Sequence, residues 1–575
     1  MRARKPLELA FLGAVALGVT LGAGACRSSE PGVSEGDSSG GPSEMDPDQE
    51  PEPEPESEPE PQEPLFAAPL RRLTEAQYLA VVEQQLGVDV SELSLPADGR
   101  VGPFVGNASA PLSGLHIDQY FAAAQQIAEQ VELSALHPCG EAPADECVSD
   151  FIDDVGAALW RRPVPDEDRG RLLAVYDVGR EAREPAAALR LVVVALLQSP
   201  YMLYHIEIGV EIGVEIGEPV DGEGTAFRLD GYEVASRLSF LLWNMAPDAE
   251  LREAAATGEL DTAEGIRARA ERMLDDPRAA EQVGNFHIQW LGAEGLQYLA
   301  KDLERYPVWS EPALRDDLRQ EIIDFTSHVV LEAQGSAGNL VTAPYSFPRG
   351  DLFRIYGLVE PPGHDPSQPV GLDPQERSGV LTMPGVLASH AAAAETSPVH
   401  RGLFVLENLL CVEIAGPPPE LDTSLPNVDP DQAPSRRELL EQHEQDPACA
   451  GCHVIIDPMG LLFEHYDAIG AWRDYDYDYD SEIDTAVVIE TSTDVSGAMQ
   501  AVPELGQAMA ASEDYRRCMI EQWSRFALGR ELGSADEDAL DALSEQGADD
   551  LVIRELILDL VASDMFRHRP PHPAS

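Results

Sequence analysis

From Leu70 onwards, apolar residues recur at helical spacing in one segment after another, and alternating strand patterns are few and short. A period near 3.6 is satisfied by burying one face of a helix, so the predicted fold is mainly α, a multi-module helical protein with long loops. The first stripe is Tyr78, Leu79, Val82 and Leu86, and Thr74 with Gln77 three residues on has the spacing of a capping box. After a Pro/Gly-rich loop near Pro96–Pro111, helices are predicted through Tyr120–Val131, Phe151–Leu159, Asp166–Tyr176 and Ala186–Leu197. Pro163, in Trp160-Arg161-Arg162-Pro163, ends the second of these. The repeat Ile208-Gly209-Val210-Glu211-Ile212-Gly213-Val214-Glu215 reads as a loop extension rather than a strand. From Phe227 the pattern strengthens: Val234, Leu238, Leu241 and Leu242 share a face, and helices follow through Ile266–Leu274, Val283–Leu291 and Leu318–Leu331.

Charge narrows the choice of partners. The 575-residue chain has 103 Asp and Glu against 39 Lys and Arg, a formal net charge of -64. Such a surface repels phosphates and anionic headgroups, which excludes nucleic acid as a partner. It suits solubility, or docking against a redox partner with a basic face.

The N-terminus reads as an export signal over residues 1–25: Arg2, Arg4 and Lys5, an apolar run from Leu9 to Leu21, then Ala23-Gly24-Ala25 before Cys26. A cysteine after small residues resembles the bacterial lipobox, so Cys26 is the expected lipidation site. Residues 26–64 are Ser, Gly, Pro and acidic residues, with too little to bury, and read as a stiff, disordered acidic tether. The expected location is the outer membrane or a periplasm-facing membrane surface, or the cell exterior, with the lipid anchor as the membrane contact. No other stretch is apolar for long enough to span a bilayer.

The strongest chemical signal is Cys449-Ala450-Gly451-Cys452-His453. Two thiols separated by two residues can each add across a porphyrin vinyl group, and the adjacent His can reach the iron as proximal ligand. The expected cofactor is one covalent haem c, tethered by Cys449 and Cys452 with His453 on the metal. Competing readings are a redox dithiol, a plain disulfide, or half of a zinc site. The dithiol lacks a surrounding βαβ pattern, and His443 and His465 follow no familiar zinc spacing. For the distal position, Met499 leads and His443 comes next; Met459, Met509, Met519, His400 and His465 are weaker choices.

Of the other cysteines, Cys139 and Cys147 flank a Pro- and acid-rich loop that suits a local disulfide in an oxidising compartment. Cys411 and Cys518 remain as a pair by elimination only, since connectivity is not fixed by sequence. The run Asp474-Tyr475-Asp476-Tyr477-Asp478-Tyr479-Asp480 alternates its carboxylates but lacks the central Gly and closing Glu of an EF-hand, so it reads as an exposed strand pair before a calcium site.

Beyond these motifs, Phe227-Arg228-Leu229-Asp230-Gly231-Tyr232-Glu233-Val234-Ala235-Ser236-Arg237-Leu238-Ser239, with Met273-Leu274-Asp275-Asp276-Pro277-Arg278, resembles the domain of unknown function 1592. That module occurs in large secreted proteins of planctomycete and myxobacterial type. Companion modules are matched by Leu70–Tyr78, Ala158–Val164, the stretch from Ser378 to the Cys-x-x-Cys-His and on through Asp457-Pro458-Met459-Gly460, and Phe526-Ala527-Leu528-Gly529-Arg530 with Ser563–Arg567. The resemblance implies secretion and association with c-type haem, but no settled reaction. The expected organisation is an N-terminal helical module at 65–135, a helical Arg-Arg-Pro module at 136–205, a central helical module at 224–358, a haem-motif module with short strands at 376–485, and a C-terminal helical module at 500–570. The function this predicts is electron transfer; the alternatives are a haem-dependent extracytoplasmic oxidoreductase and a non-catalytic binding or scaffold protein.

Overall fold

The first helix, Glu75–Leu86, starts where Thr74 and Gln77 satisfy each other's backbone amides and stops at Gly87, which takes a left-handed φ of 64°. The same logic opens Gly231–Trp243, with Asp230 and Glu233 as the reciprocal pair. The computed structural model describes residues 70–569 apart from 109–112, 141, 142, 144, 210–226, 417–434, 444, 446 and 549. The signal segment, the acidic tether, Cys26 and most of the Ile208–Glu215 repeat therefore lie outside the described residues.

The described residues are mainly helical, and their strands form two-stranded antiparallel pairs. Helices Gly114–Gln130, Asp145–Trp160, Asp166–Arg180 and Pro185–Gln198 pack with the first helix around Tyr78, Phe151, Trp160, Val192 and Leu196. The Asp145–Trp160 helix stops where the sequence predicted. Arg161 then turns into the left-handed region (φ 63°) and donates to the carbonyls of Tyr201 and Tyr204, both at 2.8 Å.

A larger apolar core gathers residues from Leu229 to Phe566 and wholly buries Trp290, Trp309 and Trp523. The two cores trade residues. Phe240 and Ala246, from the central region, pack into the N-terminal core, while Phe104 packs into the larger one. Phe104 belongs to a hairpin of Arg100–Val101 and Phe104–Val105, and its ring lies 5.3 Å from Phe286. Phe227–Arg228 pairs with His568–Arg569, tying the start of the central region to the far end of the chain. The modules interlock, and residues 63–575 cluster as one unit.

Two disulfides reinforce this arrangement. Cys139 is bonded to Cys147, eight residues on, and Cys411 to Cys518, 107 residues on. The Asp474–Asp480 run forms a short hairpin in which Tyr475–Asp476 pairs with Ser481–Glu482. Its carboxylates turn to different partners: Asp476 to Arg473 at 3.2 Å, Asp478 to Arg305 at 2.6 Å, and Asp480 to the Tyr475 hydroxyl at 2.9 Å.

Candidate haem-attachment site

Cys449, Cys452 and His453 lie on one helix, Pro447–Leu461. Offsets of three and four residues put them on the same face. The helix is fixed by a close crossing with Pro398–Leu403. A Cβ on Gly402 would overlap the carbonyl oxygen of Ile456, and one on Gly460 would overlap that of Pro398, so both glycines are needed for the approach. Arg401, wholly buried, reaches past the helix end and donates to the carbonyls of Phe463 (3.0 Å), Tyr466 (2.7 Å) and Asp467 (2.7 Å). These carbonyls belong to the turn that follows the helix, so the guanidinium fixes the chain just beyond Leu461. Burial pushes the Arg401 guanidinium down to about 10, with Glu464 and Asp467 opposing. Glu464 is itself held by Thr396 at 2.9 Å and Arg473 at 3.0 Å.

The thiols are presented from this anchored helix. Cys449 is buried, Cys452 half-buried, and neither is in a disulfide. His453 is 17% exposed and its Nδ1 faces both oxygens of Asp457, at 3.0 and 3.1 Å. Asp457 is one turn along the helix and its side chain is 1% exposed. A carboxylate accepting from Nδ1–H fixes the tautomer and turns Nε2 into the nitrogen for a metal. In the sequence Asp457 stands within Asp457-Pro458-Met459-Gly460, and the only signal of its role is its place four residues after His453.

The distal candidates are placed differently. His443, at the end of Arg436–His443, meets the His453 ring edge to face at 4.6 Å between centroids. Met499 is buried in Gly497–Met499, opposite Val487 of the strand Val487–Ile489 that packs on the Cys449 helix. His400 is an exposed residue whose Nδ1 meets Ser397 Oγ at 2.7 Å, and His465 stacks on Trp472 at 4.6 Å.

The donor set fits a covalent haem: two thiols outside any disulfide, and an imidazole oriented through its second nitrogen by a buried carboxylate. The surface beside them also suits an apolar group, since Gly451 faces open space and Val454 is 56% exposed.

Fold and site together define a mainly helical, disulfide-bonded protein assembled from interlocking modules. Five family models match it in order along the chain, each described as a protein of unknown function: DUF1587 over residues 71–132, DUF1595 over 147–207, DUF1592 over 229–358, DUF1588 over 377–476 and DUF1585 over 497–566. The chain belongs to the multi-module proteins built around DUF1592. Cys449–His453 falls within the DUF1588 match. No curated protein and no solved structure matches the chain. Among the described residues no helix is long and apolar enough to cross a membrane, and two disulfides suit an oxidising, extracytoplasmic compartment.

Proposed function

We propose that this protein is an exported, lipid-anchored c-type haem protein that works in electron transfer. The observation that carries the reading is the anchored face of Cys449, Cys452 and His453, with Asp457 set against His453 Nδ1. Cys449 and Cys452 would hold the haem as thioethers to its two vinyl groups, an addition of S–H that needs no external oxidant. The haem supplies one-electron Fe(III)/Fe(II) exchange. Asp457 holds His453 in the tautomer that offers Nε2, and Arg401 with the Gly402–Ile456 and Gly460–Pro398 contacts keeps that helix from shifting. The export segment and Cys26 would put the site in the compartment where c-type haem is attached. The acidic surface favours a partner with a basic face.

The test is expression with a c-type maturation system, then haem staining of a denaturing gel and a pyridine haemochrome spectrum. Wild-type protein should give a stained band, and Cys452→Ala should lose most of the covalent haem. A colourless wild-type band would sink the proposal. Six-coordinate haem inert to carbon monoxide supports electron transfer over the oxidoreductase reading, which requires an open iron position.

A further inference from the structure

A cavity of about 170 Å³ opens between the N-terminal helices and the central ones. Its walls include Arg71 and Arg72, His205, Arg237, and Arg525, which fall within the DUF1587, DUF1595, DUF1592 and DUF1585 matches respectively. No single module holds the site, which is complete only where four of them meet.

The lining has three kinds of surface. The rings of Phe104, Phe240 and Phe526 supply apolar area, and the amides of Asn244, Asn285 and Gln289 supply donors and acceptors. The third kind is cationic. In a chain where acids outnumber bases by 103 to 39, four guanidiniums line this one cavity. Arg71 and Arg237 share a single carboxylate, Glu207, at 2.6 and 2.7 Å. Arg72 is held by Tyr120 and Asn107, and the carboxylate paired with it, Asp98, is 3.9 Å away. Arg525 has its own carboxylate, Glu531 at 2.9 Å, and Glu294 also lines the cavity beside Arg100. The imbalance lies with Arg71, Arg72 and Arg237, three guanidiniums against Glu207 and the more distant Asp98, and a further anion would stabilise them. The distant acidic surface opposes this weakly, because screening at physiological salt acts over about 8 Å.

Two polar atoms of the lining residues are buried in the cavity wall itself. Arg72 Nε and His205 Nδ1 have no hydrogen-bond partner among the described residues. His205 Nε2 lies 3.1 Å from Gln77 Oε1, and donation there leaves Nδ1 as an acceptor. Burial first, then neighbouring Arg71, holds this imidazole well below its usual range and hence neutral.

We propose that the cavity binds a small polyhydroxylated carboxylate, a sugar acid of monosaccharide size. Its carboxylate meets the guanidiniums, its hydroxyls the amides, and its apolar ring face the aromatic wall. A cavity of about 170 Å³ is well above what a single water needs, so it has room for a small ligand. Occupation would bridge the two apolar cores.

The experiment is calorimetric titration of the full mature chain with D-glucuronate, D-glucose and acetate. The expected result is saturable binding of glucuronate, with glucose and acetate at least about tenfold weaker. Arg525→Gln and Asn285→Ala, both at half-buried positions, should each weaken glucuronate about tenfold with unchanged thermal melting. No heat with glucuronate, equal binding of glucose, or wild-type affinity in both variants would each overturn the proposal. None of these outcomes depends on the haem.

Discussion

Two groups of cysteines share this chain and behave differently. Cys139 with Cys147, and Cys411 with Cys518, are bonded across eight and 107 residues. Cys449 and Cys452, three residues apart on one helix, are not. Sequence distance does not sort them; their surroundings do. The Cys411–Cys518 bond sits in a structural seam, with Asn408 O 3.4 Å from Cys518 Sγ and Gln522 Nε2 3.3 Å from Cys411 Sγ. Cys449 and Cys452 share their helix face with an imidazole that a buried carboxylate orients. One group ties distant segments together, and the other presents thiols beside a metal-binding nitrogen.

That contrast predicts a graded set of losses. Closing a 107-residue loop removes enough unfolded-state entropy that Cys411→Ser should destabilise by about 5 kcal/mol, read as a lower urea midpoint. The shorter Cys139–Cys147 loop predicts about 2–3 kcal/mol for Cys139→Ser by the same relation. In protein made without haem maturation, Cys452→Ala should cost no more than about 1 kcal/mol, since the residue is half-buried and cross-links nothing. A loss as large as that of Cys139→Ser would show that Cys452 is structural, and the comparison would fail.

Sequence made the helices legible because each carries its own period and caps: Thr74 with Gln77, and the stop at Trp160, are local facts. Interlocking of the modules was not legible, because it depends on which distant surfaces meet. Nothing near Phe104 announces that its ring will join Phe286, nor near Phe240 that it will cross into the N-terminal core. At the site, the thiols and the imidazole were visible as a contiguous motif. The distal position was harder. Proximity in sequence does not set which side of His453 a residue occupies, and His443 lies against that ring. Met499, the leading choice, is placed by the pairing of its strand with Val487–Ile489, a tertiary event that no spacing rule captures.

The finest test of the contrast concerns Asp457 rather than the cysteines. If Asp457 only stabilised the helix, replacing it would change stability and leave the haem as it was. A carboxylate on Nδ1 makes the imidazole a more basic ligand, which favours Fe(III) and lowers the midpoint potential. Asp457→Asn keeps a hydrogen-bonding group but removes the negative charge, so the Fe(III)/Fe(II) midpoint should rise. A tenfold change in that equilibrium corresponds to about 59 mV for a one-electron couple. Covalent haem should be retained, because both thiols remain, and Asp457→Glu should move the potential less than Asn does. Redox titration of the three haem-loaded proteins makes the measurement. A potential unchanged in Asp457→Asn, with haem fully attached, would reduce the His453–Asp457 contact to a helix-stabilising pair.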